Sequence, residues 1–271
     1  MLKRVYLEIT NSCNLSCSFC TYDKGTRFLS LEEIDDYTSQ IKPYCDYIYL
    51  HILGEPLLHP WFNKILDILS AKGFKLQLVT NGVLLDRYPD ILSHECLRKL
   101  SISLHSINNL NIGQSYFDSI DNLISNNEGT KLELRFYDRN SLSPMLSQYL
   151  ERLKNDYGFN ETVRKNSYML KENVYIYFEE LFKWPSLDNQ YIGDSGTCHG
   201  AIDMIAISSN SDVTVCCLDP QCQNKIGNLK KDTLKDILHS DAYLRYVDDF
   251  RNHRISSPLC QRCSYRLRFG K

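Results

Sequence analysis

The feature that most restricts the fold of this chain is a regular alternation of strand-like and helix-like segments over about its first 182 residues. Short alternating or apolar runs predict strands, and apolar residues at helical spacing predict the helices between them. The predicted strands are 4–10, 46–53, 74–79, 99–104, 131–136 and 173–178, and the predicted helices are 31–42, 61–71, 84–92, 117–125 and 145–154. Such repeated units form parallel sheets through right-handed crossovers. We therefore expect an α/β fold, a partial (β/α)6 barrel similar to a TIM barrel.

The alternation stops near Trp184, where Pro, Asp, Asn, Gly and Ser become frequent. Six of the eleven cysteines lie beyond this point, and only residues 229–246 have a helical pattern there. The sequence therefore predicts a barrel over 1–185 and a small cysteine-rich domain over 186–271.

Composition and charge narrow the class of protein. The chain is 43% hydrophobic and 24% charged, which is typical of a folded globular protein. Its net charge of −2 supplies no basic field, so we expect no nucleic-acid partner. We find neither a signal peptide nor an apolar run of roughly 20 residues, and so expect a cytoplasmic protein without a membrane partner. Clustered cysteines in that compartment indicate metal binding or catalysis more often than disulfides.

Three of the cysteines follow the first predicted strand directly, in the sequence Cys13-Asn-Leu-Ser-Cys17-Ser-Phe-Cys20. They are predicted to lie on a loop at the carboxyl-terminal face of the barrel, where barrel enzymes have their active sites. Three thiolates can ligate three corners of a 4Fe-4S cluster and leave the fourth iron open, whereas ferredoxin-type clusters take four cysteines. A structural zinc loop is the alternative.

This motif resembles that of the radical S-adenosylmethionine (SAM) superfamily. Phe19 matches the aromatic residue that the family usually has before its third cysteine, where the loop meets the adenine. The segment 53–56 resembles the family's Gly-Gly-Glu motif with Leu53 in the place of the first glycine, and 80–82 resembles a second recurrent element, although Asn-Gly also favours turns. The resemblance implies a SAM-binding set of Phe19, Gly54, Glu55, Pro56, Thr80, Asn81, Gly82 and Ser103.

The resemblance also implies the chemistry of the site. The amino and carboxylate groups of SAM would chelate the open iron of the cluster held by the first cysteine set, and an electron would enter the sulfonium. Cleavage would then yield methionine and a 5'-deoxyadenosyl radical that abstracts a substrate hydrogen. We expect an electron donor such as flavodoxin or ferredoxin.

The later cysteines resemble the SPASM/Twitch extensions of this superfamily. Residues 211–216 match the usual Gly-x4-Cys hairpin with Ser211 for glycine, and Gly227-Asn228 matches the pair before the helix. The resemblance implies a β-hairpin, a helix and one auxiliary 4Fe-4S cluster with the ligands Cys198, Cys216, Cys260 and Cys263. Zinc is the alternative metal for four cysteines, and Cys217 or Cys222 could replace Cys216. Cys45 and Cys96 are predicted to be inert and buried.

Three residues are candidates for substrate and proton chemistry. His105 ends the fourth predicted strand, Arg135 lies on the fifth, and Glu179 follows the sixth together with Glu180. A histidine can move a proton near neutral pH, and an arginine can hold a carboxylate by two parallel hydrogen bonds. Structural roles for each are equally open: packing under a loop, an outward face, or acids at a helix start.

Two enzyme classes and one non-catalytic class follow from these motifs. The first is a two-electron oxidation of a small molecule, similar to an alcohol dehydrogenase, in which the auxiliary cluster accepts an electron. The second is modification of a peptide or protein; against it, the predicted barrel begins at residue 4 and leaves no room for an amino-terminal recognition domain. The third is a zinc-binding interaction module. The sequence does not identify the substrate.

Overall fold

Seven neighbouring parallel strands form the centre of an eleven-stranded sheet in the computed structural model, which describes residues 1–20, 25–137, 139–162, 166–180 and 182–269. The strands of the described residues are β1 (Arg4–Leu7), β2 (Tyr47–Tyr49), β3 (Lys75–Thr80), β4 (Leu97–Ser103), β5 (Lys131–Tyr137), β6 (Asn160–Glu161), β7 (Ser167–Lys171), β8 (Val174–Glu179), β9 (Met204–Ile207), β10 (Asp212–Thr214) and β11 (Lys225–Asn228). Their order in the sheet is β11-β10-β9-β1-β2-β3-β4-β5-β8-β7-β6. The predicted α/β fold with six parallel barrel strands is confirmed, because β1, β2, β3, β4, β5 and β8 pair in parallel.

Six α-helices lie in the described residues, and their apolar residues share one core with the strands. They are α1 (Leu31–Ile41), α2 (Phe62–Ala71), α3 (Gln114–Ser125), α4 (Pro144–Tyr157), α5 (Leu234–Leu238) and α6 (Asp241–Arg251). At the start of α1 the Ser30 hydroxyl accepts a hydrogen bond from the Glu33 amide, and the Glu33 carboxylate accepts one from the Ser30 amide. This reciprocal pair is a capping box, which fixes the start of α1. Among the described residues, no helix has the length and apolar character needed to cross a bilayer.

Two predicted helices and one edge of the sheet differ from the sequence-based expectation. The predicted helix over 84–92 is replaced by two 3-10 turns, Leu85–Arg87 and Ile91–Ser93. Tyr88, which precedes Pro89, has φ −131° and ψ 58°, because a residue before proline is disfavoured in the helical region. The predicted helix over 229–246 is divided into α5 and α6, since Ser240 caps a new helix. The edge strands β6 and β7 were not predicted.

The barrel strands have one apolar and one polar face, because side chains alternate between the two sides of a strand. Their outer residues form one core with the helices, and fully buried examples are Val5, Leu7, Ile48, Leu76, Leu78, Leu100, Ile102, Leu132, Leu134, Val174 and Ile176. Their inner residues line a cavity, and examples are Arg4, Tyr6, Tyr49, Lys99, Ser101, Ser103, Glu133, Arg135, Tyr137 and Glu179. The interior of the barrel is therefore polar.

The carboxyl-terminal region joins the same sheet. Strand β9 pairs in parallel with β1, from Arg4 opposite Met204 to Leu7 opposite Ile207, and β10 returns antiparallel to β9. The sheet thus continues across the predicted division between residues 185 and 186, which stays a prediction.

Candidate functional site

The loop after β1 brings the first cysteine set to one cavity. Cys13, Cys17 and Cys20 all line a cavity of about 580 Å³. The Cys20 amide donates to the Cys17 carbonyl over 3.0 Å, and the Cys17 thiol lies 3.6 Å from the Ser106 carbonyl oxygen. Three thiols that line one cavity match, in number and kind, the ligands of a cluster with one open iron.

Gly54 packs directly against the loop that leads to these cysteines. A side chain at this position would place its Cβ 2.0 Å from the Thr10 carbonyl oxygen, so only glycine fits. The next amide, that of Glu55, donates to the Ser12 carbonyl over 2.8 Å, and the Leu53 amide donates to the buried Glu8 carboxylate over 3.2 Å. The second glycine of the motif therefore holds the cysteine loop and the motif together.

The Glu55 carboxylate is the centre of a buried hydrogen-bond network. It accepts bonds from the Leu57 amide (3.0 Å), the Thr80 hydroxyl (2.7 Å) and the Asn81 amide (2.8 Å). The Asn81 side-chain amide donates to the Asn14 side chain within the cysteine loop over 2.8 Å. Burial raises the pKa of Glu55 to about 7, despite these three donors. The three motifs are thus joined by direct contacts.

Most of the predicted SAM-binding residues line the cavity, but two of them lie behind it. Phe19, Gly54, Glu55, Thr80, Asn81 and Ser103 line it. Pro56 is buried at the start of a 3-10 turn. Gly82 has φ +82° and packs against Ile102 and Tyr116, and its amide donates to the Thr80 hydroxyl. These two residues support the shape of the site.

Three aromatic rings that line the cavity, those of Phe19, His105 and Tyr137, pack against one another. The rings of His105 and Tyr137 stack at 3.6 Å between centroids, and Phe19 lies 5.2 Å from His105 and 5.5 Å from Tyr137. Burial, with the nearby Arg135 charge, lowers the pKa of His105 to about 3. His105 is therefore a neutral side chain at neutral pH.

The other two candidate residues form an ion pair with each other. Arg135 on β5 binds the Glu179 carboxylate at the end of β8, and both line the cavity. Burial alone would lower the pKa of Arg135, but the Glu179 carboxylate outweighs it and raises that pKa. Glu180 is exposed and does not line the cavity.

Several cavity residues were not singled out by sequence reasoning. Glu133 forms ion pairs with Lys99 (3.3 Å) and Lys131 (3.0 Å) and accepts a bond from the Ser101 hydroxyl (2.8 Å). His51 follows β2 and lines the cavity. The signal was available, since polar residues at every second position of β4 and β5 indicate a polar inner face.

The second cysteine set lines a separate, smaller cavity. Cys198, Cys216, Cys260 and Cys263 all line it, together with apolar residues such as Val215, Phe250 and Leu259. Cys217 lines the large cavity instead, and Cys222 lines neither. The geometry thus favours Cys216 over the two alternative ligands.

Backbone and side-chain N–H groups point at these sulfurs. The Gly200 amide lies 3.4 Å from Cys198 Sγ, the Leu218 amide 3.3 Å from Cys216 Sγ, and the Asn224 side-chain amide 3.4 Å from Cys260 Sγ. Such donors stabilise thiolates and tune the potential of iron-sulfur clusters. Four thiols with these donors fit an auxiliary cluster.

The hairpin between β9 and β10 explains why Ser211 can replace glycine. Ser211 has φ +69°, a left-handed conformation that glycine adopts most easily. Its hydroxyl lies 2.6 Å from the Tyr37 hydroxyl of α1, and both are buried. This bond stabilises the strained turn.

Comparison with known proteins identifies both parts of the chain. The model of the radical SAM superfamily matches residues 7–130, and the model of an iron-sulfur cluster-binding domain, SPASM, matches residues 198–264. The Pyrococcus furiosus tungsten-containing aldehyde ferredoxin oxidoreductase cofactor-modifying protein is 35% identical over 96 residues, 31% of this chain and 25% of that protein. The S-adenosylmethionine-dependent nucleotide dehydratase of Selenomonas ruminantium is 33% identical over 120 residues, 40% of this chain and 41% of that protein. These matches span less than half of either relative.

Solved structures resemble nearly the whole chain. BtrN in complex with AdoMet and 2-DOIA has a TM-score of 0.60 at 16% identity, covering 97% of this chain and 93% of that one. Native anSMEcpe with bound AdoMet and Cp18Cys peptide has a TM-score of 0.61 at 13% identity, covering 96% and 88%. At these identities the likeness shows the fold. The cofactors of the matched families are SAM, its 4Fe-4S cluster and an auxiliary iron-sulfur cluster. The chain therefore belongs to the radical SAM superfamily and carries a SPASM-type iron-sulfur cluster-binding domain.

Proposed function

We propose that this radical SAM enzyme oxidises a small polar substrate by two electrons, in the manner of an alcohol dehydrogenase. One observation carries the proposal: the large cavity has the first cysteine set at one end and Cys217 and Leu218, which directly follow Cys216, at the other. A substrate in this cavity would lie between the radical source and the auxiliary cluster.

The sheet topology supports this arrangement of the two ends. The cysteine loop follows the carboxyl end of β1, whereas β9 begins beside Arg4 at the amino end of β1. Because β10 runs antiparallel to β9, it brings Cys216 back toward that amino end. The cavity thus extends along the interior of the barrel.

Oxidation of an alcohol to a carbonyl removes one hydrogen atom, one proton and one electron. SAM would supply the radical that takes the hydrogen atom, and the auxiliary cluster would accept the electron. The remaining proton needs an acceptor on the protein. A reduced flavodoxin or ferredoxin is our proposed donor of the electron that starts the reaction.

We propose that the Glu179 carboxylate accepts that proton. It lines the cavity and is oriented by the ion pair with Arg135. Burial lowers the pKa of His105 to about 3, so its ring is neutral at neutral pH and can hydrogen-bond a substrate hydroxyl.

Peptide modification is the second candidate, because the same fold occurs in anSMEcpe with a bound peptide as well as in BtrN with 2-DOIA. The charged inner face favours the small-molecule reading. A cavity of about 580 Å³ lined by Lys99, Glu133, Arg135 and Glu179 suits a compact polar substrate.

Turnover with a substrate panel tests the proposal. The reconstituted holoenzyme would be incubated anaerobically with dithionite, SAM and either hydroxylated small molecules or peptides. We expect a carbonyl product with one equivalent of 5'-deoxyadenosine. With a substrate deuterated at the reacting carbon, the deuterium should appear in the 5'-deoxyadenosine. Production of modified peptide with no small-molecule oxidation would contradict the proposal, and absence of 5'-deoxyadenosine under all conditions would exclude radical chemistry.

The matched variants are Cys260→Ala with Cys263→Ala, and Glu179→Gln. The cysteine variant should still form 5'-deoxyadenosine but lose the carbonyl product, because the electron acceptor is missing. Glu179→Gln should lower the rate of oxidation by roughly 100-fold or more, the size expected for a lost general base. Full oxidation by both variants would disprove these assignments.

A further inference from the structure

We propose that Asn224 donates a hydrogen bond to the Cys260 thiolate and thereby raises the reduction potential of the auxiliary iron-sulfur cluster. The Asn224 Nδ2 atom lies 3.4 Å from Cys260 Sγ, and both residues line the small cavity. The inference rests on the proposed function, since it specifies how the electron acceptor of that reaction is tuned.

The Asn224 donor differs in origin from the two amides that point at the other sulfurs. The Gly200 and Leu218 amides are backbone groups, and each lies only two residues after the cysteine that it contacts. Asn224 is 36 residues from Cys260 in the chain, so the fold itself brings this side chain to the sulfur. A side-chain donor can also be removed by substitution, whereas a backbone amide cannot.

Two hydroxyl groups determine which end of the Asn224 carboxamide faces the sulfur. The Ser257 hydroxyl donates to Asn224 Oδ1 over 2.5 Å, and the Tyr246 hydroxyl donates to the same atom over 3.1 Å. Because these donors occupy the oxygen, the carboxamide presents its N–H groups to Cys260. The reverse orientation would direct the oxygen lone pairs at a thiolate. The hydrogen-bond network therefore assigns Asn224 as a donor.

The backbone of Asn224 is held by a buried carboxylate. The Asn224 amide donates to Asp219 Oδ2 over 2.7 Å, and the Gln223 amide donates to Asp219 Oδ1 over 2.9 Å. The Asp219 amide in turn lies 3.3 Å from the Cys216 carbonyl oxygen. Asp219 and Asn224 are both buried. The loop after Cys216 thus places a fixed donor beside Cys260, a ligand from a distant part of the chain.

The distribution of charge explains the direction of the effect. Reduction adds one electron to the cluster, and part of the added negative charge resides on the ligand sulfurs. An N–H donor at a sulfur therefore stabilises the reduced state more than the oxidised state, and such bonds help to set cluster potentials. Val215, Phe250 and Leu259 line the same cavity, and a hydrogen bond is electrostatically stronger in apolar surroundings. A higher potential makes the cluster a better acceptor of the electron that the substrate loses.

A redox titration of the reconstituted holoenzyme, followed by EPR spectroscopy without substrate, tests the proposal. At a fixed potential, Asn224→Leu should shift the ratio of reduced to oxidised auxiliary cluster roughly tenfold toward the oxidised state. This is the size expected for one hydrogen bond to a charged group. For a one-electron couple it corresponds to a fall of about 59 mV in the reduction potential. Asn224→Asp keeps an acceptor for Ser257 and Tyr246 but replaces the N–H donor by an oxygen, so the potential should fall at least as far.

Gln223→Leu is the matched control, because this neighbouring carboxamide is exposed and donates to the Gln221 side chain. The potential of the auxiliary cluster should be the same in this variant as in the unchanged protein. The cluster held by the first cysteine set is an internal reference, because Asn224 lines the small cavity and not the large one.

An auxiliary potential that both Asn224 variants leave unchanged or raise would overturn the proposal. Loss of the auxiliary iron from both variants would overturn it as well, because Asn224 would then have a structural role. The titration needs no turnover, so its failure is distinguishable from failure of the proposed oxidation, which is measured by product formation.

Discussion

The surroundings of Gly54 leave no room for any side chain at this position. Its neighbours are backbone atoms of Thr10 and Ser12 in the segment before Cys13, and backbone cannot move aside as the end of a flexible side chain can. The position therefore couples the segment 53–56, the predicted SAM-binding motif, to the cysteine loop. Leu53 beside it needs no such freedom, because its amide simply donates to Glu8.

Gly54→Ala should displace the cysteine loop, because its Cβ would lie 2.0 Å from the Thr10 carbonyl oxygen. We expect the free energy of unfolding to fall by about 1–3 kcal/mol, the cost typical of overpacked sites. We also expect SAM binding to be lost. Chemical denaturation and SAM titration measure both. Gly129→Ala is the control, because a Cβ there meets nothing within 4 Å. Equal behaviour of the two variants would contradict the argument.

Glu55 should make SAM binding depend on pH. Its pKa is raised to about 7, so the carboxyl is increasingly protonated as the pH falls below that value. The superfamily resemblance implies that the ionised form meets the amino group of SAM. Affinity should therefore fall about tenfold between about pH 8 and pH 6, since the ionised fraction falls by that factor.

Calorimetry of SAM binding to the reconstituted enzyme at several pH values measures this dependence. Glu55→Gln should bind SAM more weakly at pH 8, and its affinity should not change across the same pH range. A pH dependence that Glu55→Gln retains would assign the titration to another group.

Sequence reasoning predicted residues with a distinctive spacing and missed those whose role depends on packing. The sequence predicts the two cysteine sets, Gly54 and Glu55, because each belongs to a motif with a characteristic spacing. Glu133 and His51 were missed, because a single charged or aromatic residue in or beside a strand is common, and its place in the cavity depends on the packing of the whole barrel. Cys216 lines the small cavity and Cys217 the large one, and this difference depends on the turn after β10.

Among the elements, those with local signals agreed with prediction. The capping box of α1 and the alternating apolar pattern of β3 and β5 determine their own structure. The predicted helix over 84–92 failed because Pro89 disfavours helical geometry at Tyr88, a local effect that outweighs apolar periodicity. The partner of β1 could not be predicted, because β9 is about 200 residues distant in the chain, and its pairing depends on tertiary contacts.

The β9–β10 hairpin allows a test of how an element tolerates strain. Ser211→Ala removes the bond to Tyr37 and keeps the left-handed strain, whereas Ser211→Gly removes the bond and relieves the strain. We expect Ser211→Gly to be about 1 kcal/mol more stable than Ser211→Ala. In a Tyr37→Phe background, Ser211→Gly should be at least as stable as Ser211. Thermal or chemical unfolding measures the series, and equal stability of the glycine and alanine variants would show that the turn is unstrained.

At the scale of the whole molecule, the chain should hold two clusters that can be removed separately. Reconstitution should give about eight irons per chain, from two 4Fe-4S clusters. Replacing Cys13, Cys17 and Cys20 with alanine should leave about half of the iron and abolish SAM cleavage. Iron analysis and 5'-deoxyadenosine formation measure both, and substantial zinc with little iron would contradict the assignment.

The continuous sheet makes the carboxyl-terminal region part of the barrel's stability. Without it, β1 loses the backbone bonds to β9, and the buried Glu8 carboxylate loses the Ser209 amide (3.0 Å) and hydroxyl (2.9 Å). Glu8 also accepts a hydrogen bond from the Leu53 amide, so the effect should extend to the predicted SAM-binding motif. An exposed edge at β1 would favour aggregation.

We therefore expect residues 1–185 alone to aggregate and to bind little iron, measured by size-exclusion chromatography and iron analysis. The matched control is the full chain with Cys260→Ala and Cys263→Ala, which lacks the auxiliary cluster but keeps β9 and β10. That variant should stay in solution with about four irons, because the strand pairing and the Glu8 bonds remain. A soluble fragment 1–185 with the same iron content would show that the barrel is stable without β9, and equal aggregation of both proteins would assign the stability to the cluster.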